Sequence, residues 1–221
     1  MKLVYKDIDH VFHLSEGYVN ELVIENKKMF FEIVNSLSLQ SEGAEGDFVL
    51  SINDKPVEFS RYADVTVQFA PFQLNRKSLL TKLNGYLEKR ALLPENYPET
   101  MKLLTEMEAF VHALAEELPF EITCQKVTIA PLLKAMSPEI DAIGKSPLEQ
   151  IFAYMETVRE FDKDRLFVFV NMRAYFSDEE MNYFTESVVL HDFKVLLLES
   201  TSRYRLPNTE RSTIDEDLCE F

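Results

Sequence analysis

An α/β fold carrying an inserted helical arm is what this sequence predicts, and three observations predict it. Two continuous apolar runs, Leu166–Val170 (LFVFV) and residues 195–198 (VLLL), read as strands covered on both faces. Between them lies an amphipathic stretch opened by a capping box, so strand, helix and strand follow at the spacing of a parallel βαβ unit. Residues 77–118 carry helical periodicity interrupted by prolines, with no strand alternation.

The elements follow in order. Residues 2–6 and 19–25 read as strands, the second through Leu22, Val23 and Ile24. A helix over about 27–38 places Met29, Phe30, Ile33, Val34 and Leu37 on one face. Gly43 and Gly46 mark a loop, and residues 48–52 and 65–69 read as further strands. Leu79, Leu80, Leu83 and Leu87 then share one face of a helix over about 77–92. The prolines of PENYPE, Pro94 and Pro98, break it, and a second helix over about 99–118 carries Met101, Leu104, Val111, Leu114 and Leu118. Such a hairpin cannot satisfy both stripes alone, so it must pack on the remainder of the chain or on another subunit. Residues 127–136 add a short third helix, with Pro131 near its first turn. Ser146, Pro147 and Glu149 then form an N-cap, a proline at the first helical position and a capping-box glutamate. Ser177 and Glu180 open the next helix in the same way, and residues 214–221 (IDEDLCEF) read as a last edge strand with an acidic face. The predicted domains are a discontinuous α/β head over 1–72 and 146–221, and a helical leg over 73–145.

Composition narrows the class. The chain has 221 residues, 46% hydrophobic and 28% charged, which suits a soluble globular protein with a sizeable core. It contains no apolar run of about 18 residues, and MKLVYKDIDH lacks a signal-peptide core, so a cytoplasmic protein with no membrane partner is expected. Cys124 and Cys219 are then free thiols. The net charge of −15 argues against nucleic acid when taken as an average. Locally the balance reverses: between residues 60 and 93, Arg61, Arg76, Lys77, Lys82, Lys89 and Arg90 face only Asp64 and Glu88.

The catalytic inventory is poor, so no enzyme is expected. Gly144-Lys145-Ser146 matches the end of a phosphate loop, but Glu139 stands where the first glycine belongs and Pro147 removes an amide from the cradle. Asn171 and Glu199 end strands, where capping accounts for them without a metal. His10 and His13 lack partners at metal-ligand spacing, and neither a G-x-S-x-G nor a C-x-x-C motif occurs.

The run PLEQIFAYMETVREFDKDRLFVFVNMRAYFSDEEM, then KVLLLES, then the closing IDEDLCEF, resembles the CRISPR-associated Csn-two family of type II-A systems. The resemblance is detailed over 147–221 and architectural before that. It implies a head like a degraded P-loop ATPase core with a mostly parallel sheet, a helical leg, and a homotetrameric ring. It further implies calcium as cofactor, threading onto the ends of double-stranded DNA, and a role in spacer acquisition beside the adaptation integrase and the effector nuclease. The family's DNA-facing lysine matches Lys134 within PLLKAM. The leg bases Arg76, Lys77, Lys82, Lys89 and Arg90 join it as candidates from charge placement. The implied calcium ligands fall on Glu116, Glu117 and Glu121, although Pro119 and Lys126 stand where further acids belong. Two other functional classes compete: a nucleotide hydrolase with an unusual phosphate site at 144–146, and a protein–protein scaffold whose acidic C-terminus docks partners.

Overall fold

The computed structural model describes residues 1–14, 17–201 and 203–221. The chain divides into two compact units, a head of Met1–Gln73 with Gly144–Phe221 and a helical arm of Leu74–Ile143.

The head holds two sheets among the described residues. In the first, β2 (Phe12–His13), β1 (Lys2–Tyr5), β4 (Phe48–Ile52) and β5 (Lys55–Val57) lie side by side, all antiparallel. The second is wholly parallel, in the order β6 (Ala63–Thr66), β7 (Leu166–Val170), β8 (Lys194–Glu199), β3 (Val19–Ile24), β9 (Thr209–Ile214). Its central strands are buried along almost their whole length, as apolar runs in a doubly covered sheet must be. On one face Leu22, Ile24, Leu166, Val168, Leu196 and Leu198 join a core shared with the antiparallel sheet, with α1 (Lys27–Ser41) and with Phe59 of the short α2 (Phe59–Tyr62). On the other face Phe167 meets Tyr154 of α6 (Pro147–Phe161), and Phe169 meets Phe184 of α7 (Asp178–Leu190).

Caps fix the helix ends. The Asn26 side chain accepts from the Met29 amide at 3.0 Å and starts α1. Ser146 with Glu149 and Ser177 with Glu180 form full capping boxes on α6 and α7, at the positions read from the sequence. Gln40, near the other end of α1, bonds both backbone groups of Phe48 at 2.9 and 3.0 Å and so ties the helix to β4. Gly46 is required beside it, because a Cβ there would stand 2.4 Å from the Gln40 side chain.

Four elements end three or more residues from where the sequence reading put them. The strand expected over 65–69 lies at Ala63–Thr66, where its register against β7 holds it. The first helix runs on to Ser41. The second arm helix spans Tyr97–Leu114, because Pro98 falls in its first turn, where the missing amide costs nothing. The last strand is Thr209–Ile214 rather than 214–221. Its sequence, TERSTI, is polar because it lies at the sheet edge, and the acidic segment after it turns back so that Glu220 bridges Ile214.

The arm contains α3 (Lys77–Ala91), α4 (Tyr97–Leu114) and α5 (Ile129–Met136), with α3 packed against α5. Asn75 holds the two ends of the unit together, its side chain bonding both the amide and the carbonyl of Ile140 at 2.9 and 3.0 Å. Thr100 closes the α3–α4 turn by donating to the Ala91 carbonyl. The arm's apolar stripes stay largely open: Leu79 and Leu104 are buried, whereas Leu103, Phe110, Val111 and Leu114 are exposed. None of the helices among the described residues is long and apolar enough to cross a membrane.

Candidate nucleic-acid interface

The arm presents its bases along α3 and at the end of α5. Lys82 and Lys89, seven residues apart, rise on one exposed side of α3, two turns from each other. Arg76 is its half-buried N-cap residue, and Arg90 is exposed in its last turn, where a cation suits the helix dipole. Lys77 and Lys134 share one groove of about 600 Å³ between α3 and α5, with Asn75, Asn84 and Glu88. Asn84 donates its amide to the Leu80 carbonyl, but its Oδ1 is buried with no partner among the described residues. Lys77, Lys89, Arg90 and Lys134 form no ion pair among the described residues, and all four are exposed. Exposed cationic groups without carboxylates keep their counterions, and an incoming polyanion gains free energy by releasing those it has condensed itself.

The acids fare differently. Glu116 and Glu121 line a shallow pocket with His112, and Glu117 is not part of its lining. Among the described residues no three His, Cys, Asp or Glu side chains gather as a metal-binding group. Calcium takes about six to eight oxygen ligands. As placed, these three glutamates do not fit the ion within one chain.

The head gives Gly144-Lys145-Ser146 no phosphate-loop setting. The tripeptide follows no strand. It leads into α6, where Ser146 is the N-cap and the Lys145 carbonyl accepts from Gln150. At the junction of a strand with its following helix, β3 and α1 are separated by only Glu25 and Asn26, too short to wrap a phosphate.

What the sequence reading missed is a charge network buried in the head. Glu21 is fully buried on β3, and its two oxygens accept from Arg173 Nη1 and Arg211 Nε, each at 2.8 Å. The Tyr204 carbonyl accepts from Nη2 of both arginines at 2.9 and 3.0 Å, and the Arg203 carbonyl accepts from Arg211 Nη1. Arg173 also lies 5.1 Å over the Tyr204 ring. Glu199, buried at the end of β8, accepts from the Arg173 amide at 3.1 Å, and Asn171 accepts from the Ser200 amide. Burial pushes the Glu199 carboxyl up to about 7, with Glu21 adding to the rise and the Arg173 amide, Arg173 and Arg203 opposing it. The network joins β3, β9, the turn after β7 and the chain after β8. A charged residue within VNELVI was the available signal, since an unpaired carboxylate cannot be buried cheaply.

An α/β head and an inserted helical arm with exposed bases are the class of protein that the described residues define. The chain belongs to the CRISPR-associated protein Csn2 family, whose model matches residues 40–218. Among curated proteins it is similar to the CRISPR-associated protein Csn2 of Streptococcus agalactiae, at 30% identity over 150 residues, 66% of this chain and 65% of that one. It is also similar to that of Enterococcus faecalis, at 22% over 149 residues, again 66% of this chain and 65% of that one. These alignments therefore span just under two thirds of the relatives' length. A solved structure of the recombination mediator protein RecF of the RecFOR pathway matches 97% of this chain and 95% of that one, at 9% identity and a TM-score of 0.43. A likeness of that size carries no argument about function.

Proposed function

We propose that this protein acts in CRISPR adaptation as a non-catalytic, ring-forming protein that binds double-stranded DNA at its ends, without reading sequence. The observation that carries the reading is the pair Lys77 and Lys134, converging on one groove of the arm in a chain of this family. Lys82 and Lys89 lie on another side of α3 from that groove, with Arg76 and Arg90 at its two ends, and add positive charge to the arm. Lysine is a point charge suited to phosphates and carries no base code, so the binding is electrostatic and blind to sequence. Self-association is supported by α4, where Leu103, Met107, Phe110, Val111 and Leu114 form an exposed stripe at helical spacing. A homotetrameric ring would enclose the duplex, and the net charge of −15 per chain would then stand away from the inner wall. The integrase and the effector nuclease are the partners this role requires.

The test is a mobility shift of linear and closed-circular duplex, on protein of known solution mass. The linear form is expected to bind with a steep salt dependence and the intact circle poorly; equal affinity for both sinks the reading. Repeating it with calcium and with a chelator asks whether the ion acts through ligands drawn from more than one chain. Calorimetric titration with a nucleotide and magnesium should release no heat.

A further inference from the structure

In the head, a cleft of about 250 Å³ opens beside the C-terminal ends of β3 and β9. Parallel sheets commonly take ligands at that end of their strands. Met29, Ile214 and Leu218 give the cleft an apolar lining. Tyr5 also lines it, and is 6% exposed, with its ring fixed against Phe48 at 4.6 Å. The Tyr5 hydroxyl has no hydrogen-bond partner among the described residues. Its oxygen is not sealed in the core but open on the cleft, where an incoming donor can bond it.

The charges say what would reach it. Asp7, Glu32 and Glu220 are in the lining, against one base, Lys28. Glu220 is held in place, its carboxylate accepting from the Asp9 and His10 amides at 2.9 Å and from the Ser212 hydroxyl. Asp47, also near Tyr5, is already paired with Lys6 at 2.7 Å. Lys28 pairs loosely with Glu32, at 3.8 Å, and its side chain is 87% exposed. The Tyr5 phenol is pushed above its usual range, first by burial and then by Asp47, with Asp7 and Glu32 contributing and Lys6 opposing. An excess of carboxylates excludes an anion, and no metal-binding group of three gathers here among the described residues. A cation with an apolar stem fits both the charge and the lining.

We propose that this cleft receives a basic side chain, from an extended segment of a partner protein. Arginine fits best. Its guanidinium can bridge Glu32 and Asp7 while accepting no bond itself, and the Tyr5 oxygen can receive one of its N–H groups. Its methylenes would cover Met29 and Ile214, and a neighbouring apolar residue of the segment would cover Leu218, which is 57% exposed. A free amine would leave that apolar surface wet, so the occupant is a segment of protein. Lys28 swings into solvent on binding, releasing Glu32.

The test uses the full chain and three probes: N-acetyl-Leu-Arg-Leu-amide, the same peptide with citrulline for arginine, and arginine amide alone. Binding is followed by NMR at the Met29 methyl and the Tyr5 ring. The arginine peptide is expected to shift both signals saturably. The uncharged citrulline peptide and arginine amide should each bind about tenfold or more weakly. Tyr5→Phe and Glu32→Gln should fold normally, because the hydroxyl bonds nothing among the described residues and Glu32 is exposed; each should weaken the arginine peptide by about tenfold. Equal binding of the citrulline peptide overturns the charge reading. Equal binding of arginine amide overturns the protein segment, and no shift with any probe overturns the site.

Discussion

The head and the arm use the same kinds of residue in opposite ways. In the head, apolar runs are buried on both faces of a parallel sheet, and the deepest charges, Glu21 with Arg173 and Arg211, pair with one another, with Arg173 Nε buried without a partner among the described residues. In the arm, leucines and phenylalanines at helical spacing reach solvent, and Lys77, Lys89, Arg90 and Lys134 stand without ion pairs among the described residues. Outside the Tyr5 cleft, the head commits its deepest charges to its own fold. The arm leaves its bases and an apolar stripe exposed, consistent with the electrostatic binding proposed above.

Four measurements can break or sharpen that contrast. The largest effect is expected from Arg173→Met, which leaves Glu21 with one of its two arginines in a dry site. Loss of a partner from a buried ion pair costs about 3–5 kcal/mol, read as a lower urea midpoint. An unchanged midpoint would show the network to be dispensable. Next comes Glu199→Gln. The Glu199 carboxyl is raised from 4.5 to about 7 in the fold, so the folded chain holds this proton more tightly than the unfolded one. Its contribution is therefore fully present below pH 4.5 and lost as pH rises through 7. The glutamine variant should flatten that decline and gain on the order of 3 kcal/mol at pH 8; a parallel decline in both proteins would discard the assignment.

In the arm the same measurements should show little. Lys77→Glu with Lys134→Glu is expected to leave the unfolding free energy from urea within about 0.5 kcal/mol of the parent. It should nevertheless weaken linear duplex by at least about tenfold and reduce the salt slope, by about 0.9 for each phosphate no longer neutralised. A variant that unfolds instead would place these lysines in the structural core. Leu114→Glu should have the smallest effect on the chain itself, because Leu114 is 69% exposed. Its readout is solution mass, which should fall toward the monomer; an unchanged mass would remove the α4 stripe from the subunit interface.

Legibility followed the same divide. LFVFV, VLLL and the two capping boxes could be read directly, because continuous apolarity and a Ser-x-x-Glu spacing each admit few alternatives. Strand β9 could not, since TERSTI is polar and is made a strand only by its pairing with β3. The bases of the arm were visible as a local excess, but spacing alone could not show that Lys77 and Lys134, on different helices, would meet in one groove. The three glutamates illustrate the reverse, close in sequence yet not gathered as a metal group.

By itself, then, the sequence determined the parallel α/β head, the helical arm and the family. Those depend on periodicity, caps and runs, which are properties of neighbours along the chain. Only the tertiary structure decided that Glu21 would find its arginines, 152 and 190 residues away. The same holds for Tyr5, set in one cleft with carboxylates from other segments, and for Lys77, brought to one groove with Lys134. Charges and hydroxyls act through space, and no local pattern encodes a distance that folding has yet to set.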